Sequence, residues 1–227
     1  MIEARDAARR LAPALAMVAA LAALAALVPA PASALDLEAE VGTSSASFGG
    51  DHFATASTRT GITAGVDTRW PLAHRCSLRT GLQYVERGAV LGSEDYIAFS
   101  GVVSGALKVT DELAYAEVPL LFGWSPGQSG GVRVTLFGGP AVAFKLSEWL
   151  HETGALEVKI RRNDLQDEDL LGIVGAGMET TIGHRRVLAE ASYDEGLVNV
   201  LRPEAGGDSV RNNGLRVRVG CSWRVHS

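Results

Sequence analysis

The chain of 227 residues has a formal net charge of −5, and removing a predicted 34-residue leader leaves 193 residues with 18 basic and 24 acidic side chains. This acidic balance excludes a nucleic-acid-binding surface, which would be basic and clustered. Two cysteines, Cys76 and Cys221, are too few for a disulfide scaffold, and the remaining length suits one sizeable all-β domain.

Residues 1–34 are predicted to be a cleaved signal peptide, and residues 35–227 the mature domain. Three arginines lie within residues 1–10, an apolar run covers residues 11–28, and Ala32-Ser33-Ala34 forms a small-residue cleavage site. A transmembrane anchor is the alternative, because the run is nearly long enough to span a bilayer. The prolines that follow the run and the cleavage site favour removal. No later apolar run is long enough for a spanning helix, so membrane insertion requires a β-barrel.

About eight β-strands are predicted after the leader, because apolar and polar side chains alternate with a period of two. The clearest case is residues 169–200, where two alternating arms flank Gly183 and His184 and predict a hairpin with a tight turn. The predicted strands lie near residues 35–45, 58–70, 75–87, 110–124, 132–145, 168–182, 186–198 and 213–225.

The predicted connections alternate between long and short. The long ones are residues 46–57, 88–109, 146–167 and 199–212, and the short ones are residues 71–74, 125–131 and 183–185. This alternation is typical of outer-membrane barrels, which have long loops outside and short turns in the periplasm. Residues 96–107 also look strand-like, which leaves open a protruding hairpin or a count of ten strands.

Each predicted strand has one more apolar face, which we assign to the outside of a closed antiparallel up-and-down barrel. The outward sets include Leu35, Leu37, Ala39, Val41, Ile62, Ala64, Val66, Leu78, Leu82, Val118, Leu120, Phe122, Val132, Val134, Leu136, Leu215, Val217 and Val219. The inward acids are Asp36, Glu38, Glu40, Asp67, Glu117, Glu179, Glu190 and Asp194. The inward bases are Arg69, Arg75, Arg79, Arg133, Lys145, Arg186, Arg216, Arg218 and Arg224. The two signs nearly cancel, which predicts a lumen filled by a charge network; the alternative is the solvated face of a soluble sheet.

Aromatic residues are predicted to form two girdles at the membrane interfaces. The outward residues at the short-turn ends of their strands are Trp70, Trp124 and Trp223. The outward residues near the opposite rim are Tyr84, Phe144 and Tyr193.

Five segments resemble the outer-membrane β-barrel domain family that includes PorT-like and OmpX-like small barrels. They are GLQYVERGA (81–89), YAEVPLLFGW (115–124), FGGPAVAF (137–144), GIVGAGME (172–179) and YDEGLVNV (193–200). Their order and spacing match that family across most of the mature chain. The resemblance implies an eight-stranded barrel in a Gram-negative-type outer membrane, but it does not fix an activity.

The sequence offers little for catalysis, and we predict a protein that is not an enzyme and has no cofactor or metal. The five histidines are scattered, Gly175-x-Gly177 indicates close packing inside a narrow barrel, and both cysteines are predicted to be free thiols. The leading hypothesis is an outer-membrane barrel with a plugged, charge-filled lumen that has a structural or surface-interaction role through its outer loops. Two alternatives stay open: a component of a secretion or envelope-assembly complex, and a soluble periplasmic lipocalin-like barrel that binds an apolar ligand. The expected partners are outer-membrane lipid and envelope or secretion proteins.

Overall fold

The computed structural model describes residues 35–49, 56–72, 75–91, 108–153, 157–161, 165–183, 185–200 and 210–225. The predicted signal peptide and the strand-like residues 96–107 lie outside these ranges. The strands are β1 Leu35–Gly49, β2 Ser57–Pro71, β3 Cys76–Leu91, β4 Lys108–Ser129, β5 Val132–Thr153, β6 Glu157–Arg161, β7 Glu168–Ile182, β8 Arg185–Gly196 and β9 Arg211–Val225. No helix long and apolar enough to cross a membrane occurs in the part of the chain that the structure describes.

Eight of these strands close into an antiparallel up-and-down barrel, which confirms the predicted fold class. Around the barrel the order is β1, β2, β3, β4, β5, β7, β8, β9, and β9 pairs with β1 to complete the circle. The ninth strand, β6, pairs only with the end of β5 and forms a hairpin with it. The alternative count of ten barrel strands is wrong, because β3 pairs directly with β4 and leaves no place between them for residues 96–107.

The strand register gives the barrel a shear of ten residues. Paired residues can be followed around the barrel from Glu40 in both directions. Through β2, β3, β4 and β5 the path reaches Asp169 on β7, whereas through β9 and β8 it reaches Glu179 on β7, ten residues further along that strand. Eight strands with such a stagger tilt by about 40° and enclose a space that side chains can fill. Opposite walls of the lumen are therefore close enough for long side chains to meet.

Several strands continue beyond their predicted ends and shorten the connections, most clearly β4 and β5. β4 and β5 continue to a tight turn at Gly130 and Gly131, whose φ angles of 58° and 83° suit glycine. A bulge between Trp124 and Gly127 absorbs Pro126, so the proline does not end the pairing. At the other end, the predicted loop 146–167 contains the end of β5 and all of β6.

The two faces of the barrel have opposite character. Outward apolar side chains are exposed, as for Leu82 at 61% and Val219 at 53%, whereas the inward carboxylates of Glu38 and Glu117 are completely buried. A protein surrounded by water would reverse this arrangement. Cys76 and Cys221 form no disulfide with each other, as predicted, and two strands lie between the strands that carry them.

Candidate functional site

Buried salt bridges lie inside the barrel. They are arranged in layers from the end with the short turns, here called the short-turn mouth, towards the end with the long connections, here called the long-connection mouth. All twelve charges of the predicted lumen network lie on the inward side of their strands. Arg133 is the most exposed of them, because it lies at the short-turn mouth with 37% of its side chain accessible. The remaining inward acids, Asp36 and Asp194, are 3% and 1% exposed.

The layer at the short-turn mouth is built around two carboxylates. Asp36 accepts hydrogen bonds from both terminal nitrogens of Arg186, at 2.5 and 2.9 Å. Glu179 on β7 pairs with Arg69 on β2, and its other oxygen lies 3.3 Å from Arg186. Arg224 donates to Asp36 at 3.3 Å. Here arginines outnumber the acids.

In the next layer, acids outnumber bases. Glu190 accepts from Arg79 at 2.5 Å and from Arg218 at 3.0 Å, and Glu40 lies 3.0 Å from Arg218. Asp67 accepts a hydrogen bond from Gln83 at 2.8 Å. The guanidinium of Arg79 also stacks over the ring of Phe137, 4.6 Å from its centroid.

A closed ring of four charges forms the third layer. Arg87 pairs with Glu117 at 2.5 Å and with Asp194, while Arg216 pairs with Glu117 at 2.7 Å and with Asp194 at 2.8 Å. Each carboxylate therefore bridges two guanidiniums, and all four side chains are at most 1% exposed. Sequence reasoning did not include Arg87, although Arg87 has the same strand parity as Arg79 and so points inward.

Four of these ion pairs cross the full width of the barrel. Strands four places apart in the circle lie on opposite walls, and the pairs Arg69–Glu179, Arg79–Glu190, Arg87–Asp194 and Arg216–Glu117 all join such strands. These side chains therefore span the lumen instead of coating its wall.

Towards the long-connection mouth the interior also contains a buried apolar cluster, beside buried charges such as Asp111 and Glu148. The buried cluster includes Phe48, Leu91, Val109, Leu113, Leu150, Leu165, Val200 and Val210. Leu165 and Val200 belong to outer connections, and backbone hydrogen bonds from Gln166 to Val200 and from Val200 to Val210 hold them in place. Below this cluster Asn212 donates to the Tyr115 hydroxyl, again between opposite strands, at 3.3 Å.

Two predicted inward bases lie outside the layered network. Arg75 occupies the β2–β3 turn with a φ of 70°, and its guanidinium donates to the carbonyl of Pro126. Lys145 is inward but lies near the other mouth, where it pairs with Glu148 at 2.7 Å. A β-bulge next to Lys145 changes the strand parity, so both residues of this pair point inward.

The predicted girdle residues lie on the outward face. Exposed fractions are 45% for Trp124, 43% for Trp223 and 43% for Tyr193. On neighbouring strands, Ala116 pairs with Tyr84 on one side and with Phe144 on the other, so these two aromatic residues lie in one row. Eight residues separate Ala116 from Trp124 on β4, which is about 20 Å across the membrane after the strand tilt. Between the two aromatic rows, the outward face of the described strands carries no Asp, Glu, Lys or Arg.

Beyond the row of Tyr84 the outer surface becomes charged. Glu112 accepts from Arg59 at 3.0 Å and lies 3.1 Å from His151 and 3.6 Å from Lys159. Burial alone would raise the pKa of Glu112. The hydrogen bond and positive charge of Arg59, together with the charges of His151 and Lys159, have the larger combined effect and hold the pKa of Glu112 below its ordinary value. Within the described residues, no group of three or more His, Cys, Asp or Glu side chains is arranged to hold a metal ion.

A family model described as "Outer membrane protein beta-barrel domain" matches residues 29–202. The chain belongs to this family. The protein is therefore a β-barrel of the bacterial outer membrane, which confirms the predicted family and location. The lipocalin-like soluble alternative is wrong, because an exposed apolar belt and this family place the barrel in lipid.

Several solved outer-membrane barrels are similar in structure. The attachment invasion locus protein Ail of Yersinia pestis has 12% identity over 83% of this chain and 98% of its own, with a TM-score of 0.43. The outer membrane protein OprG from Pseudomonas aeruginosa has 12% identity, coverage of 86% and 98%, and a TM-score of 0.42. The outer membrane protease OmpT from Escherichia coli has 8% identity, coverage of 85% and 97%, and a TM-score of 0.45. No curated protein sequence matches the chain.

Proposed function

We propose that this outer-membrane barrel is a non-conducting anchor that holds its outer connections at the cell surface for structural or interaction roles. The observation that carries the proposal is the set of ion pairs between opposite walls, including two pairs of the Arg87–Glu117–Arg216–Asp194 ring. A hydrated ion passing this ring would have to break buried charge pairs, which costs several kcal/mol because each lost partner leaves a buried charge. The apolar cluster at the outer mouth supports closure at a second level.

Electrical recording tests the closed lumen. Purified full-length protein reconstituted into a planar bilayer should give no steady conductance above that of a bilayer treated with detergent alone. Native folding is checked by heat-modifiable gel migration of the same preparation. Steady open-channel current from folded protein would contradict the proposal.

Surface presentation has its own test. A short epitope inserted after residue 96, in a predicted outer connection, should bind antibody on intact cells, because long connections of these barrels face outward. The matched control carries the same epitope between Gly130 and Gly131, in a periplasmic turn, and should bind only after the outer membrane is permeabilised. Labelling of both insertions, or of the control alone, on intact cells would contradict this orientation.

The proposal includes the absence of catalysis. Its support is that arginines occupy the lumen carboxylates Glu117, Glu179 and Glu190, so these groups are engaged in ion pairs and not placed as general bases. A role within a secretion or envelope-assembly complex is compatible with the same anchor. Cross-linking and recovery from native membranes would identify such partners.

A further inference from the structure

The periplasmic mouth contains two adjoining cavities lined by arginines. One, of about 340 Å³, lies between the lumen and the turns that follow β2 and β4, and Arg69, Arg75, Arg133 and Arg224 line it. The other, of about 310 Å³, shares Arg133 and Arg224 and adds Arg186. We call the two together the periplasmic vestibule.

Positive charge is in excess in the vestibule. Its five arginines face two lining carboxylates, Asp36 and Glu179. Arg186 donates to both oxygens of Asp36 at 2.5 and 2.9 Å, and Arg69 pairs with one oxygen of Glu179. Both carboxylates are thus committed to the two arginines that lie deeper in the barrel.

The remaining arginines are only weakly neutralised. Arg133 lies 3.9 Å from Glu179 with 37% of its side chain exposed, and Arg224 contacts Asp36 at 3.3 Å with 49% exposed. Arg75 binds the carbonyl of Pro126, and no carboxylate of the described residues lies within ion-pair distance of it. These three guanidiniums therefore keep donors available to a solute from the periplasm.

Neighbouring acids do not cancel this excess. The next layer inward is net negative, with Glu38, Glu40, Asp67 and Glu190 against Arg79 and Arg218, but these carboxylates are at most 9% exposed. Glu38 lies 2.9 Å from Arg69, and Glu40 and Glu190 each lie 3.0 Å from Arg218. Among the described residues, none of the four lies within ion-pair distance of Arg75, Arg133 or Arg224. The sequences of the three periplasmic turns, residues 72–75, 125–131 and 183–184, contain no Asp or Glu. The water-facing side of the vestibule is consequently cationic.

The donor set suits a tetrahedral oxyanion. Guanidinium groups bind phosphate through paired, charge-assisted hydrogen bonds. The hydroxyl-bearing residues Ser77 and Ser125 line the same cavity as Arg75 and Arg224, so donors belong to several strands and turns. The volume also leaves room for the group that carries the phosphate.

We propose that the periplasmic vestibule binds a phosphate group, carried either by a soluble phosphate compound or by a phospholipid of the inner leaflet. The site lies below the crossing ion pairs, so the inference goes beyond the closed-lumen proposal and does not depend on it. A conducting barrel could still bind phosphate, and a closed barrel could fail to do so.

Calorimetric titration of inorganic phosphate into the folded full-length protein, in uncharged detergent and chloride buffer at low ionic strength, tests the soluble source. Saturable binding is expected, with affinity about ten-fold weaker in Arg133→Gln and in Arg224→Gln, since each removes a charge-assisted contact. Arg185→Gln is the matched control, because Arg185 is an exposed base at the start of β8, next to a periplasmic turn, and lines neither cavity. Heat-modifiable migration verifies that each variant is folded.

A second arm tests the lipid source. Nanodiscs with equal amounts of phosphatidylglycerol and phosphatidylcholine are dissolved, and mass spectrometry counts the lipids that stay on the protein. A lipid phosphate is supported if the protein retains phosphatidylglycerol and if the retained amount falls in Arg133→Gln and Arg224→Gln but not in Arg185→Gln. The proposal is overturned if neither arm shows binding that depends on Arg133 and Arg224, or if Arg185→Gln weakens binding equally.

Discussion

At the level of single residues, Gly175 shows how little space the lumen leaves. A β-carbon at this position would lie 2.5 Å from the ring of Phe137 and 2.6 Å from the carbonyl oxygen of Ala191. The glycine thus makes room for the ring on which the Arg79 guanidinium stacks. The sequence predicts tight packing at Gly175-x-Gly177, but it does not reveal which side chain needs the space.

Gly175→Ala should destabilise the barrel by about 1–3 kcal/mol, because the added methyl group overpacks a filled interior. Gly172→Ala is the matched control on the same strand, since its β-carbon would meet only Leu197 carbons at 3.5 Å or more. Its effect should stay within about 0.5 kcal/mol. Urea unfolding of both variants in phospholipid vesicles gives the comparison, and equal stabilities would contradict this account of Gly175.

At the level of the strands, the outward face is predictable because lipid imposes one chemistry on every second residue. Val219 lies on β9 midway between Leu215, which pairs with Tyr193, and Trp223. Its side chain is 53% exposed and touches no charged layer of the lumen. It therefore reports on the membrane environment alone.

Val219→Lys should cost about 2–4 kcal/mol of unfolding free energy in vesicles, the range for a base at the bilayer midplane. Asn213→Lys, on the same face of β9 but beyond the Tyr193 row, should cost about 0–1 kcal/mol, as expected near an interface. Equilibrium unfolding at several urea concentrations measures both. Similar costs at the two positions would mean that the aromatic rows do not mark the membrane boundaries.

Strand ends are less predictable than strand faces. The expected strands stop near residues 124 and 145, whereas β4 and β5 continue to Ser129 and Thr153. Outside the aromatic rows the outward face mixes polar residues such as Glu112 and His151 with apolar ones such as Leu146, so the contrast between faces weakens although the pairing continues. The regular alternation of inward and outward residues is also interrupted at the bulge next to Lys145, so Glu148 points inward.

At the level of the whole molecule, alternation alone predicts a closed barrel with charges inside, but it cannot pair those charges. Which arginine meets which carboxylate depends on the shear of ten residues and on side-chain reach across the lumen. Arg87 and Asp194 are 107 positions apart in sequence and meet only because β3 and β8 lie on opposite walls. The apolar cluster near the long-connection mouth also escapes prediction, since the connections at that end supply part of it.

The crossing ion pairs have a consequence for assembly. A hairpin, or any run of fewer than five adjacent strands, cannot contain both members of such a pair, because the partners lie four strands apart in either direction. A sheet of fewer than five strands can pair Arg87 with Glu117, or Arg216 with Asp194, because these partners lie on neighbouring strands, but it cannot form the contacts between opposite walls. Insertion into lipid one strand at a time would leave the ions that still lack these contacts in hydrocarbon, so they have to stay hydrated or bound to another protein until at least five strands have assembled.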